Sequence, residues 1–112
     1  MKPIFTAAAL LLLTACASLG GTEFTGESAT YGSDNILRND VLNTVNQYER
    51  AAFDCRHVSA IHSRINQITK PEGRLSVKET WTVTACGKQH DYHISLRQDE
   101  RGETDFSVGL AK

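Results

Sequence analysis

The stretch from Glu79 to Gly87 constrains the fold more than any other part of this sequence. It is rich in β-branched and aromatic residues, which favour the pleated, half-buried surface of a β-strand. Side chains alternate across a strand, so Trp81, Val83 and Ala85 fall on one face and a row of threonines falls on the other. The pattern predicts a strand with one buried face and one polar face, which ends in a turn at Gly87.

The first residues of the chain have the composition of an export signal. Lys2 supplies a positive charge, and residues 4–13 are almost wholly apolar but too few to cross a bilayer as a mature helix. The run ends in Leu13-Thr14-Ala15-Cys16, which resembles the lipobox of bacterial lipoproteins. That resemblance implies a cleaved signal peptide over residues 1–15 and a diacylglycerol on Cys16.

The lipobox resemblance also implies a cellular location. The residue after the cysteine is Ala17 and not Asp, which by analogy with enteric sorting indicates the bacterial outer membrane, with the protein anchored by lipid and facing the periplasm. Residues 16–33 are rich in Gly, Ser, Thr and Ala without any sustained period, so we expect the lipidated cysteine to be followed by a flexible tether. Residues 34–112 are then a single domain.

The number of cysteines and the net charge limit the class of protein further. The chain has three cysteines, and lipidation of Cys16 leaves Cys55 and Cys86 in an oxidising compartment, where such a pair normally forms a disulfide. The formal net charge of the chain is −1, so there is no basic field to bind nucleic acid. A small exported domain stapled by one disulfide is the expected class.

Residues 34–52 predict an amphipathic helix. Apolar residues recur there at spacings of three and four and form one stripe, with Ser33 or Asp34 as the N-cap and Glu49 on the polar face. The stripe consists of Leu37, Val41, Val45, Tyr48 and Ala52.

Residues 54–69 are ambiguous, because their apolar positions also fit a helical period. A reversal near Lys70-Pro71-Glu72-Gly73 would make this segment a strand that pairs with the next one and would place Cys55 directly opposite Cys86. The same register pairs Val58 with Val83, Ala60 with Trp81 and His62 with Glu79. We therefore favour the strand. The alternative is a second helix and an ααβββ order, as in small outer-membrane assembly lipoproteins.

Two further turns extend the sheet. A type II′ turn over Cys86–Gln89, with Gly87 at its first central position, would pair Ile94 with Trp81 and Tyr92 with Val83. A charged turn centred on Arg101 would pair each apolar residue of the third strand with one of the fourth: Tyr92 with Leu110, Ile94 with Val108 and Leu96 with Phe106.

These registers predict an α+β domain in which one N-terminal amphipathic helix packs on a four-stranded antiparallel β-meander. Its predicted core consists chiefly of Trp81, Val83, Tyr92, Ile94 and Phe106, with Val58, Ala60, Val108 and Leu110 on the same face.

A second resemblance covers most of residues 51–108. Ala51-Ala52-Phe53-Asp54-Cys55, then Glu79-x-Trp81-x-Val83-x-x-Cys86-Gly87, a following Tyr92 and Thr104-Asp105-Phe106 are similar to a recurrent pattern in small bacterial lipoproteins that have no assigned activity. The resemblance implies that the cysteines and the tryptophan are structural, and it implies no enzymatic reaction.

The titratable residues do not predict a catalytic, metal or cofactor site. The four histidines split between the two faces of the predicted sheet, because His57 and His62 differ by an odd number, as do His90 and His93. His62 opposite Glu79 is expected to be an ion pair or hydrogen bond at the core edge. No nucleophile motif and no phosphate-binding loop is present.

The polar sheet face is the remaining candidate for function. It should carry His57, Ser59, Thr80, Thr82, Thr84, His93, Ser95 and Ser107. Such a face is either simply solvated or a flat docking surface for an envelope protein or glycan. We expect a non-catalytic, lipid-anchored accessory or interaction module of the envelope. The first alternative is a module that binds a small ligand or a metal, and a third reading is an enzyme.

Overall fold

The computed structural model describes residues 21–32 and 34–112. The predictions for residues 1–20, which include the signal peptide and Cys16, and for Ser33 lie outside the described residues. The elements in chain order are β1 (Glu23–Gly26), α1 (Ile36–Phe53), β2 (Val58–Thr69), a 3₁₀ turn (Pro71–Gly73), β3 (Ser76–Ala85), β4 (Lys88–Gln98) and β5 (Thr104–Leu110).

The domain is α+β, as predicted, and the described residues form one helix on a five-stranded mixed sheet of order β1-β2-β3-β4-β5. Strands β2 to β5 form the expected antiparallel meander. The predicted sheet lacked β1, which pairs in parallel with β2 through Glu23–Ala60 to Gly26–Ser63. Since residues 58–69 form a strand, the ααβββ alternative is wrong.

The edge strand β1 lies in a segment that was predicted to be a tether. The Thr22 hydroxyl donates to the Val58 carbonyl at 2.8 Å, and the Phe24 ring packs edge-on against Trp81 with 6.1 Å between centroids. Tyr31 packs on Phe24 in turn, at 5.8 Å. Composition indicated a flexible segment, but these isolated aromatic residues give it enough contact with the core to order it.

Helix α1 covers one face of the sheet through Val41 and Val45, which are fully buried. It begins at Ile36, after an N-cap at Asn35, whose φ is 58°. The predicted cap Asp34 still accepts a hydrogen bond from the Ile36 amide, at 3.2 Å. The predicted stripe is wrong in its last turns, because Glu49 is buried while Tyr48 is 37% exposed.

Ala52, the last residue of the predicted stripe, is exposed as well. Leu37, near the start of α1, is partly buried against the core. The buried surface of α1 therefore centres on Val41, Val45 and Glu49.

The predicted register between β2 and β3 is wrong. Trp81 pairs with Ser63 and not with Ala60, and Glu79 pairs with Ile65 and not with His62. The connection is longer than expected, because Thr69 pairs with Ser76 across the 3₁₀ turn. Register irregularities between Val58 and Ala60 and between Ile65 and Gln67 add to the shift.

A β-bulge changes which residues face the core, since one extra residue reverses the alternation of side chains. Val58 and Ile61 are therefore both buried, at 2% and 0% exposure. Ala60, predicted to lie in the core, is only partly buried.

The turn between β3 and β4 is one step earlier than predicted. Ala85 pairs with Lys88, so Cys86 and Gly87 are the central residues, and both have positive φ, 51° and 76°. Positive φ at both positions is the signature of a type I′ turn and not of the predicted type II′ turn. Trp81 consequently pairs with Tyr92 and not with Ile94.

That error shifts the register by an even number of residues, so the faces are unchanged. Trp81, Val83, Tyr92 and Ile94 are all buried, and Phe106 is partly buried against them. The predicted pairing of β4 with β5 is confirmed at Tyr92–Leu110, Ile94–Val108 and Leu96–Phe106.

The disulfide between Cys55 and Cys86 is present, with 6.1 Å between the Cα atoms. Its position differs from the predicted cross-strand pair. Cys55 lies between α1 and β2, and Cys86 lies in the β3–β4 turn. The bridge therefore joins the C-terminal end of the helix to the hairpin turn.

Candidate functional site

The outer face of the sheet, opposite α1, is polar. Among the described residues no helix covers it, because α1 lies on the other side. Of the residues predicted for the polar sheet face, those within strands lie on this surface, whereas His57 precedes β2. We call this surface the outer face; its side chains include Ser59, His62, Arg64, Asn66, Lys78, Thr80, Thr82, Thr84, Asp91, His93, Ser95, Arg97, Asp105 and Ser107.

The centre of the outer face is a row of paired residues across four strands. Arg64 pairs with Thr80, Thr80 with His93, and His93 with Gly109. Thr80 is only 5% exposed, and its hydroxyl oxygen accepts a hydrogen bond from the Asn66 amide at 2.7 Å. Because Gly109 has no side chain, the His93 imidazole is left open on the β5 side.

Beside this row lies an open depression of about 500 Å³. It is lined by Asn66, Gln67, Lys78, Glu79, His93, Ile94 and Ser95. The side chains of Glu79 and Ile94 belong to the core, on the α1 side of the sheet. The groups presented outward are therefore an ammonium, two amides, an imidazole and a hydroxyl, which are mostly hydrogen-bond donors.

The charge of the outer face is weakly positive. It carries three basic residues, Arg64, Lys78 and Arg97, and two acidic ones, Asp91 and Asp105. With neutral histidines its formal charge is +1. Within residues 21–32 and 34–112, these three cations form no ion pair within 4.0 Å. Unpaired cations on a flat polar face can interact with an acidic surface.

The core face holds a carboxylate, Glu79, that is 1% exposed. The prediction that His62 pairs with Glu79 is wrong. His62 lies on the outer face, and its Nδ1 is 3.0 Å from the Thr25 hydroxyl. Glu79 instead accepts hydrogen bonds from the Ser28 hydroxyl at 2.6 Å and the Ala29 amide at 2.7 Å. The N-terminal segment is therefore bound to the central strand by a buried charge.

A second buried carboxylate, Glu49, was missed by the sequence analysis. Its Oε2 accepts a hydrogen bond from the Tyr92 hydroxyl at 2.5 Å and lies 3.0 Å from His90 Nδ1. Its Oε1 has no hydrogen-bond partner among the described residues. The helical spacing could have revealed it, since Glu49 follows Val45 by four residues and so lies on the apolar stripe.

The environment of Glu49 favours a structural role. Burial, the hydrogen bond to Glu49 and its charge raise the pKa of Tyr92, which keeps the phenol protonated as a donor. The Phe53 ring stacks on the His90 imidazole, with 3.7 Å between centroids and 7° between planes. Tyr92 is fully buried and one face of the His90 ring is covered by Phe53, so these side chains are not open to a substrate.

The four histidines do not converge. His57 is exposed, His62 and His93 lie on the outer face, and His90 contacts Glu49 on the core side. Within the part of the chain that the structure describes, no group of three His, Cys, Asp or Glu residues is arranged to hold a metal ion. In the same part, no helix is both long and apolar enough to span a membrane.

Comparison with protein-family models, with curated proteins and with solved structures finds no match to this chain.

Proposed function

We propose that this protein is a lipid-anchored envelope module of the bacterial outer membrane, facing the periplasm, and that it acts by binding another protein through the outer face. The lipobox-like Leu13-Thr14-Ala15-Cys16 supports the anchor. The observation that carries the binding role is the outer face itself, with Arg64, Lys78 and Arg97 free of ion pairs among the described residues.

An acidic protein surface is the partner that this face suits best. Arginine is enriched among residues that dominate binding energy, and Arg64 and Arg97 are both exposed here. Cations opposite a negative patch speed association and select against wrong partners. The outward positions of β2–β5 carry no Trp, Tyr or Phe, so a partner cannot use an aromatic platform on this face.

A non-catalytic role is supported by how the potential acids and bases are used. Glu79 is surrounded by donors from Ser28, Ala29 and Trp81. Glu49 is bonded to Tyr92 and His90. General acid–base catalysis requires a group within hydrogen-bond reach of a substrate, and both carboxylates face the core.

A second candidate function rests on the depression beside His93. Its volume of about 500 Å³ falls within the size range of small-molecule sites, and the donors that line it suit an anionic small ligand. This alternative predicts that inorganic phosphate raises the melting temperature of the protein and that Lys78→Ala removes the rise.

The protein-binding proposal is tested by site-specific photo-crosslinking in intact cells. A photo-reactive phenylalanine analogue placed at His93, in the centre of the outer face, should give an adduct of one defined mass. The same analogue at Gln47, which is exposed on α1, is the matched control and should give none. Arg97→Glu should weaken the adduct at position 93. Equal adducts at both positions, or none at position 93, would contradict the proposal.

A further inference from the structure

The described chain begins at one end of the sheet, which we call the proximal end. Gly21 and Thr22 lead into β1 there, and the Thr22 hydroxyl binds the Val58 carbonyl at the start of β2. Val58 pairs with Ala85, so the β3–β4 turn lies at the same end. The Cys55–Cys86 disulfide brings the end of α1 to it.

The opposite end, which we call the distal end, consists of the connections 70–75 and 99–103. It is separated from the proximal end by the length of β2, which has 12 residues and therefore spans about 40 Å. The two ends are thus far enough apart to have different surroundings near a membrane.

The inclusion of β1 in the sheet limits how far the domain can move from Cys16. Gly21 follows Cys16 by five residues, and five residues span at most about 18 Å. If Cys16 carries the lipid, as the proposed function holds, the proximal end stays within about 18 Å of the bilayer, whereas the distal end can lie farther from it. A tether that continued to residue 33 would have allowed the whole domain to move farther from the membrane.

The two ends differ in charge. The proximal end exposes four basic side chains, Arg50, Arg56, Lys88 and Lys112, and two acids, Glu23 and Asp54. The distal end carries Lys70, Arg74 and Arg101 against Glu72, Asp99, Glu100 and Glu103. The formal side-chain charges are therefore +2 at the proximal end and −1 at the distal end. The proximal end also exposes an aromatic side chain, Phe53, at 39%.

The chain enters the domain at the proximal end, and this end is the more positive of the two. We therefore infer that the proximal end docks on anionic lipid headgroups, with Arg50, Arg56 and Lys88 toward the membrane. A basic residue close to an anionic surface is attracted by roughly 1 kcal/mol, a factor of about five in occupancy. A few such residues are too weak to recruit a free protein firmly, but they suffice to orient one that is already tethered. The outer face and the distal end then remain open to the periplasm.

The inference rests on the proposed anchor, so the test measures both in one preparation. The full mature protein is purified from membranes, and its intact mass reports whether Cys16 carries lipid. It is then reconstituted in vesicles of phosphatidylcholine, with or without phosphatidylglycerol, and lysines are labelled with a membrane-impermeant amine reagent. Lys88 is the reporter and Lys70 is the matched reference, because both are exposed and they lie at opposite ends.

Labelling of Lys88 should fall roughly fivefold on the anionic vesicles and recover in high salt, since screening removes the attraction. Labelling of Lys70 should not change. Arg56→Glu should restore labelling of Lys88, whereas Arg101→Glu at the distal end should not.

The outcomes separate the two proposals. A lipidated protein whose Lys88 is labelled equally on both vesicles would overturn the docking and leave the anchor intact. A free thiol on Cys16 would overturn the anchor, and the docking that depends on it.

Discussion

Trp81 donates its indole N–H to the carboxylate of Glu79, two residues earlier on β3, at 2.9 Å, and both side chains are buried. The same carboxylate accepts the Ser28 hydroxyl and the Ala29 amide. A buried charge is tolerated only when such donors satisfy it. The pair therefore joins the sheet's central strand to the N-terminal segment that precedes α1.

Replacing Trp81 should separate packing from hydrogen bonding. Trp81→Ala should reduce the free energy of unfolding by about 3–5 kcal/mol, because it leaves a cavity in the core. Trp81→Phe keeps an aromatic ring but removes a donor to a buried charge, and we expect a loss of about 1–3 kcal/mol. Denaturant melts measure both values. A loss below about 1 kcal/mol for Trp81→Ala would be inconsistent with a buried indole.

Gly26, at the end of β1, should not tolerate a side chain. Its φ is +86°, and an added Cβ would lie 2.2 Å from the Ser63 carbonyl oxygen. Gly26→Ala should therefore detach β1 from β2 and destabilise the domain by more than about 1 kcal/mol, since strain and clash combine. The measurements are thermal melts and amide hydrogen exchange of residues 22–32.

Gly102 is the matched control for Gly26. Its φ is +84°, nearly the same, but no atom lies within 4 Å of an added Cβ. The difference between Gly26→Ala and Gly102→Ala therefore isolates the clash with Ser63. Equal destabilisation by the two variants would show that backbone strain alone, and not close approach to β2, explains why position 26 requires glycine.

The disulfide should contribute stability and no specific chemistry. Its sequence separation is 31, for which the chain-entropy model gives roughly 3–4 kcal/mol. The double variant Cys55→Ala, Cys86→Ala should lose about that amount in denaturant melts. Reducing agent should destabilise the native protein similarly and leave the double variant unchanged. Equal stability of the oxidised and reduced native protein would argue against this role.

Stability should decline in alkali because of Tyr92. Burial and contact with Glu49 raise its pKa above 10, the ordinary tyrosine value. The folded state therefore favours the protonated phenol. Its contribution is fully present below about pH 10 and is lost as the pH rises toward the folded-state pKa, by at most about 1.4 kcal/mol per pH unit.

Tyr92→Phe isolates this effect from other groups that titrate in alkali. The free energy of unfolding of the variant should fall less steeply above about pH 10 than that of the native protein. At neutral pH it should be less stable than the native protein by about 1–3 kcal/mol, because a buried carboxylate loses a donor. Parallel stability curves for the two proteins between pH 9 and 12 would contradict the assignment.

The sequence alone determined those features that depend on local alternation and on chemical pairing. Trp81 and Val83 on one face of a strand, the pairing of Tyr92 with Leu110 and the Cys55–Cys86 bridge were all predicted, and the structure confirms them. Strand periodicity assigns a face whatever the neighbouring strand does. An even error in register, such as that between β3 and β4, leaves that face unchanged.

Where local signals were weak or opposed, contacts between distant parts of the chain determined the structure. Residues 23–26 became a strand because Phe24 reaches Trp81, a contact far apart in sequence. Ile61 replaced Ala60 in the core because irregularities in β2 changed its alternation. Glu49 could enter the apolar stripe because Tyr92 and His90, on β4, meet its carboxylate. A buried charge or an isolated strand is stable only with partners that other elements supply.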